Sequence, residues 1–415
     1  MTGEDKLFTP GRLGPIELRN RTIRSAAFEG MGKDNGPTRM LKDYHLSVAR
    51  GGVGMTTLAY AGVCRSALSF DTQLWLRPEI AGELREITDG IHSAGAKASI
   101  QIGHCGNMTH WKTAGGMPVG ATTGFNLYSP TICRGLKKDE LKEIAGYFGD
   151  AVRTARDAGF DCVEVHAGHG YLISQFLSPY TNKRRDEYGG SLENRMKFMN
   201  MCLEESLKAA GSDMAVIVKT NMRDGFKGGL EIEDCLRVAK EIERSGVHGI
   251  VLSGGFVSKA PMYVMRGEMP IRSMTHYMHQ WWLKYGVRLV GKYMIPSVSF
   301  TPLYFLDDAR LFRTELSLPL IYVGGVIDRA GADKVLDEEG FDFVQMGRAL
   351  LNEPDFVNRM RESGEKNHRC GCDHVNYCIA RMYSREMACH KHIENLPADI
   401  EKEIAAIKGR DGKSR

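Results

Sequence analysis

Eight short apolar runs, each followed by a turn and in most cases by an amphipathic stretch, constrain this chain more than any other feature. They read TIRSAAF (22–28), GMTTLAYA (54–61), KASIQIG (97–103), CVEVHA (162–167), AVIVKTN (215–221), GIVLSGG (249–255), PLIYVGG (319–325) and FDFVQMG (341–347). Near-continuous apolar character suits parallel strands covered on both faces. The stretches between, such as KKDELKEIAGYFGDAVRTARDAG before the fourth run, carry helical periodicity. Strand and helix alternating eight times predict an α/β fold, a closed (β/α)8 TIM barrel. A doubly wound open sheet would normally show GxGxxG after an early strand, and this sequence has none there. The 415 residues exceed a plain barrel of about 250. We therefore assign 1–358 to a barrel with insertions at 104–137 and 256–318, and 359–415 to a C-terminal tail containing Cys and His.

Charge narrows the partners. Charged residues make up 26% of the chain and the net charge is +4, too mild to call for nucleic acid or an anionic membrane surface. No apolar stretch approaches the roughly 20 residues that span a bilayer, and the start MTGEDKLFTPG has no basic-then-apolar leader. A soluble cytoplasmic enzyme acting on a small molecule is the expectation. Ten cysteines are too few for a disulfide scaffold, but Cys370, Cys372, Cys378 and Cys389 lie close together in sequence.

Barrel active sites are built from the C-terminal ends of the strands. Gly324 and Gly325 end the seventh run, and Gly347 and Arg348 end the eighth. Glycines let backbone N–H groups approach phosphate oxygens and an Arg adds a charged fork, so these loops predict a phosphorylated ligand. Lys219, in an otherwise apolar strand, should face an anion or an electron-rich ring. Gln101 can read the pyrimidine edge of a flavin, or be a buried Gln satisfied by backbone. The sharpest constellation is His166, His169 and Tyr171. Two imidazoles can donate to one oxygen and stabilise the enolate that develops as a hydride adds to an enone, and a phenol can protonate the α-carbon. The alternative is a non-flavin barrel enzyme, a lyase or aldolase with zinc on the histidines or a Schiff base at Lys219.

At these residues the sequence resembles the old yellow enzyme family of FMN-dependent ene-reductases, over roughly residues 6–358. HAGHGYLISQFLSPYTNKRRDEYGGSLENRMKF (166–198) is similar almost throughout to the family signature, and LFTPGRLGPIELRNR near the start looks like the family's opening. The resemblance implies FMN as cofactor and NADH or NADPH as reductant. It implies that Ser25, Ala26, Ala27 and Tyr60 line the flavin, that Gln101 and Lys219 contact its ring, and that Gly325, Gly347 and Arg348 hold its phosphate. His166 and His169 would bind an enone carbonyl, with Tyr171 as proton donor and Phe28 beside the substrate. A homo-oligomer is usual among relatives. Phe28 stands where many relatives carry Cys or Thr, and Asn107 replaces a usual Arg.

A longer branch of the family, the 2,4-dienoyl-CoA reductases, carries a 4Fe–4S cluster after the barrel, followed by flavin and nicotinamide domains. The tail RCGCDHVNYCIARMYSREMACHKH is similar to that cluster region, but its spacing is C-x-C-x5-C-x10-C and Val375 stands where a Cys is expected. An iron–sulfur cluster on Cys370, Cys372, Cys378 and Cys389, a zinc site using His374 or His390, and a tail without metal all remain open from sequence. Soluble NADH or NADPH is expected to reduce the bound FMN directly. The Met- and aromatic-rich stretch 256–318 points to a bulky apolar enone.

Overall fold

The computed structural model describes residues 5–126, 129–278, 281–362 and 368–411. All eight runs form strands: β1 (Thr22–Arg24), β2 (Met55–Gly62), β3 (Lys97–Gly103), β4 (Cys162–His166), β5 (Ala215–Asn221), β6 (Gly249–Ser253), β7 (Leu320–Val323) and β8 (Phe343–Met346). Each pairs in parallel with its sequence neighbours, and β8 returns to β1 through Val344↔Thr22, Gln345↔Ile23 and Met346↔Arg24, closing the barrel. The strands are buried along nearly their whole length, which explains their unbroken apolar reading. Amphipathic helices such as Lys138–Asp157 and Ile232–Arg244 turn one apolar stripe onto them.

The barrel's lower end is plugged from within. An antiparallel hairpin of Gly11–Leu13 and Ile16–Leu18 inserts Leu13, Ile16 and Leu18 against Ile23, Ile217, Ile321 and Phe343. Burying these side chains contributes about 1.5–3 kcal/mol each. With that end filled, a ligand's access lies at the other end, where the strand termini gather.

The insertions and the tail build on that end. Residues 104–137 contribute a small three-stranded sheet, Val119–Gly120, Gly124–Asn126 and Thr131–Gly135. Residues 256–318 contribute the helices Pro261–Met265, Ile271–His276 and Trp281–Met294. The tail runs back across the strand ends: Cys370 N–H donates to Ile327 O and Met387 N–H to Glu29 O, at 2.8 and 2.7 Å. Its last helix, Ala398–Asp411, packs Ile400, Ile404 and Ile407 on Val375 and Tyr377. From that helix the Glu403 carboxylate accepts the first-turn N–H groups of Arg272 and Ser273, both at 2.8 Å. A carboxylate at a helix N-terminus satisfies donors that have no intrahelical partner, so tail and insertion form one roof. No helix among the described residues is long and apolar enough to cross a membrane.

Candidate active site

β4 ends at His166 and passes into a tight loop that carries His169 and Tyr171. His169 takes a left-handed backbone with φ 60°, followed by Gly170 at φ 82°, where a Cβ would lie 2.5 Å from the Phe256 ring. Asn221, at the end of β5, fixes the turn: its Oδ1 accepts His169 N–H at 3.0 Å and its Nδ2 donates to Gly255 O and Asp224. The loop therefore brings the three predicted side chains together. His166 and His169 stand with ring centroids 5.0 Å apart, and Tyr171 lies 4.6 Å from His166. Tyr60 adds a fourth ring, 5.1 Å from Tyr171. The register of β2 against β3 shifts between Leu58 and Ala61, a bulge that re-aims Tyr60.

Burial sets the protonation of this group. It lowers the pKa of His169 to about 3, with the Lys219 charge adding, and holds His166 well below its usual value. Both imidazoles are neutral at pH 7. His166 Nδ1 accepts Gly168 N–H at 3.4 Å, which leaves its proton on Nε2, and His169 Nε2 shares a 2.7 Å hydrogen bond with Ser253 Oγ at the end of β6. Burial raises the pKa of Tyr171 and keeps the phenol protonated.

Behind the rings lies a polar cluster inside the barrel. Glu164 of β4 is fully buried, and it accepts from Gln101 of β3 at 2.6 Å and from Gln345 of β8 at 3.0 Å. Lys219 Nζ pairs with Glu164 Oε1 at 2.7 Å, and Gln345 Oε1 lacks a partner. Burial lowers the Lys219 pKa while Glu164 raises it, and at this distance the ammonium form is retained. The expectation of an anion facing Lys219 is met by Glu164, and Gln101 is held by the same carboxylate.

The loops that end β7 and β8 line a cavity at the strand ends. Ser25, Ala27, Gly324, Gly325, Gly347 and Arg348 border it, together with Arg24 and Gln345. Gly325 has φ 76°, and a Cβ there would sit 2.8 Å from Leu303 N; beside Gly347 the space is open, the nearest atom to a built Cβ being Ser25 Cβ at 4.0 Å. Arg348 Nη1 donates to Asn376 Oδ1 at 2.6 Å, and Asn376 in turn donates to Arg266 O and Glu268 O, so the tail and the insertion both aim the guanidinium. Open backbone at Gly347, a fixed Arg and the unpartnered amide oxygen of buried Gln345 on the lining fit the phosphate and ring of FMN. Ala26, half-buried between Ser25 and Ala27, and Tyr60 are not on this cavity's border. Phe28 stacks on Phe70 at 4.5 Å, and Phe70 meets Tyr383 of the tail at 6.2 Å, so Phe28 belongs to an aromatic stack at the mouth.

The four tail cysteines neighbour one another, Cys372 lying near Cys370, Cys378 and Cys389, but they pack into different apolar surroundings. Cys370 packs into the main barrel core, Cys378 and Cys389 pack with Leu351 and Met387, and Val375 fills a third cluster with the last helix. Among the described residues, no group of three or more His, Cys, Asp or Glu side chains is spaced to hold a metal. As placed, the thiols do not make one ligand set, and burial pushes those of Cys370 and Cys378 up to about 12.

Several site residues escaped the sequence reading. Glu164 carried a signal, a carboxylate between two valines in a buried strand. Gln345 carried a similar one. Ser253, Asn221, Arg24, Asn376 and Tyr383 gave none, because each acts on a residue of another strand, loop or tail segment that only the folded chain brings near.

Residues 6–282 match the NADH:flavin oxidoreductase / NADH oxidase family. The chain is 36% identical to a 4,4'-dithiodibutanoate disulfide reductase of Rhodococcus erythropolis, over 91% of this chain and 93% of that protein. It is 30% identical to an NADH oxidase of Thermoanaerobacter brockii over 91% of this chain, and spans 54% of that relative's length. An old yellow enzyme homologue from Zymomonas mobilis shares the fold, with TM-score 0.69 at 21% identity, over 88% of this chain and 94% of that one. The barrel, the glycine-and-arginine cavity and these matches agree: the chain belongs to the old yellow enzyme-like NADH:flavin oxidoreductase family, an NAD(P)H-dependent oxidoreductase that uses FMN.

Proposed function

We propose that this protein is an ene-reductase that saturates the carbon–carbon double bond of an α,β-unsaturated carbonyl compound. The observation that carries the reading is the triangle of two neutral imidazoles and a protonated phenol at the end of β4. FMN supplies the hydride donor when bound. Gly324, Gly325, Gly347 and Arg348 would hold its phosphate, with Ser25, Ala26 and Ala27 along it and Tyr60, Gln101 and Lys219 toward its ring.

A carbonyl oxygen accepting from His166 Nε2–H and from His169 draws electron density as a hydride adds to the β-carbon. Donors already fixed in a dry site stabilise that charge without rearranging. Because both imidazoles are neutral, they polarise the oxygen without giving up a proton. Tyr171 then donates its phenolic proton to the α-carbon, and the burial that raises its pKa favours rapid return of a proton to the phenolate. Ser253, now sharing the His169 Nε2 hydrogen bond, yields its place to the carbonyl oxygen.

Incubating the FMN-loaded enzyme with NADPH or NADH and cyclohexenone should release cyclohexanone, and Tyr171→Phe should suppress its formation while leaving nicotinamide oxidation by the flavin intact. Failure to reduce any enone would contradict the reading. A second reading is favoured by the 36% identity to the disulfide reductase: a hydride attacks one sulfur, the S–S bond breaks, and Tyr171 protonates the departing thiolate. Thiol release from 4,4'-dithiodibutanoate tests it. The homo-oligomer expectation is checked by light scattering, where a mass near one chain of 46.2 kDa contradicts it.

A further inference from the structure

Beyond the catalytic rings the roof holds a second pocket, half open to solvent, whose described lining shares no residue with the cavity at Gly324, Gly325 and Arg348. It measures about 250 Å³ and is lined by Met269, Met274, Met278, Val287, Met294 and Tyr383 among other apolar groups. Lys259 is the one charged residue on its described lining, and Lys259 is exposed. Two contacts join this chamber to the site. Val257, on its wall, donates its N–H to His169 O at 3.0 Å. Tyr383, also on its wall, meets Phe70 at 6.2 Å and raises the Tyr171 pKa by proximity. Val257 and Tyr383 thus belong both to the pocket wall and to the surroundings of the carbonyl-binding group.

Resting on the ene-reductase reading, we infer that this chamber receives the apolar body of the substrate, a long or ring-fused hydrocarbon carried on the enone. At about 250 Å³ it falls just below the size of pockets that hold a whole ligand, which suits one part of a substrate. Methionine side chains, unbranched and polarizable, accommodate bodies of several shapes, which suits a family of related substrates. One exposed cation on the lining does not suit a dinucleotide or another polyanion, so the nicotinamide's own phosphates are a poor fit. One wall is the helix Trp281–Met294, which supplies Val287 and Met294 to the chamber while Trp281, Trp282, Tyr285, Leu289 and Tyr293 face out.

The test compares two lengths of ligand in the FMN-loaded enzyme. Isothermal titration with methyl propyl ketone and methyl nonyl ketone, neither reducible, reads binding; kcat/KM with methyl propenyl and methyl nonenyl ketone reads turnover. Wild type should bind the longer ketone at least roughly tenfold tighter, since each buried methylene favours binding severalfold. Val287→Trp, which fills the chamber, and Met278→Lys, which charges it at a half-buried position, should each remove that preference and leave the short ligands within about twofold. Equal binding of both lengths in wild type, or a preference unchanged in both variants, overturns the chamber's role. If the length preference appears in binding but neither enone is reduced, the chamber stands and the ene-reductase reading falls; if both enones are reduced without length preference, the reverse holds.

Discussion

The strand-end site and the roof above it are built from different materials. The site is polar, rigid and assembled by the barrel: His166, His169 and Tyr171 sit within six residues on one loop, and Gln101, Glu164, Lys219 and Gln345 close a polar ring across four strands. The roof is apolar, rich in methionine and assembled from two separate segments, the 256–318 insertion and the tail. Side chains on a closed barrel are held by hydrogen-bonded strands on both sides, as reaction geometry demands. Side chains on short helices joined by loops are easier to change, as choice of substrate demands. The difference assigns chemistry to the barrel and selection to the roof.

The largest expected effect strikes the barrel side. Replacing both His166 and His169 by Ala should lower enone turnover by on the order of 10³ or more at every substrate length, because each oxyanion donor is worth about 10²–10³. Steady-state kinetics on the short and long enones checks it, and a loss confined to the long enone would blur the division. Tyr171→Phe should cost on the order of 10² in turnover with little change in ligand binding.

Arg348→Ala should weaken FMN by about 10–100-fold, the weight of a charge-assisted contact, read from flavin fluorescence on titration into apoprotein. Asn376→Ala, which only releases the Arg348 fork, should give a smaller loss of the same sign. A larger loss for Asn376 than for Arg348 would make the roof the principal phosphate holder.

The smallest effect is a flat line. Burial keeps His169 neutral down to about pH 3, so carbonyl binding should not change between pH 6 and 8, and a step near 6.5 would contradict neutral donors. The same depression has a cost in acid. His104 and His169, both lowered to about 3, stay neutral in the folded chain while the unfolded chain protonates its histidines near 6.5. Stability is therefore full above pH 6.5 and falls as pH drops from there toward 3, a trend that urea unfolding midpoints will follow.

How much of this was legible in the sequence divides along the same line. The eight strands were readable because parallel strands buried on both faces leave unbroken apolar runs, and the shared cavity of Gly324, Gly325, Gly347 and Arg348 was readable because they sit at fixed offsets from strand ends. His166, His169 and Tyr171 are local to one loop and carried the family likeness. The Glu164 cluster needed four strands to be brought into register, and Tyr383 lies 212 residues beyond Tyr171, so no local pattern announces either. The cysteine spacing was visible, but not that Val375 is committed to packing on Ile400, Ile404 and Ile407, nor that the neighbouring thiols are not spaced as one metal-ligand set among the described residues.

The most direct test of the central claim is the oxidative half-reaction. FMN-loaded enzyme, reduced anaerobically and mixed with cyclohexenone in a stopped-flow instrument, should regain the yellow absorbance of oxidised flavin, and the His166→Ala/His169→Ala variant should do so at least about 100-fold more slowly. Reduced enzyme that stays bleached with every enone, or a double variant that reoxidises as fast as wild type, would contradict the assignment of these histidines to an enone carbonyl.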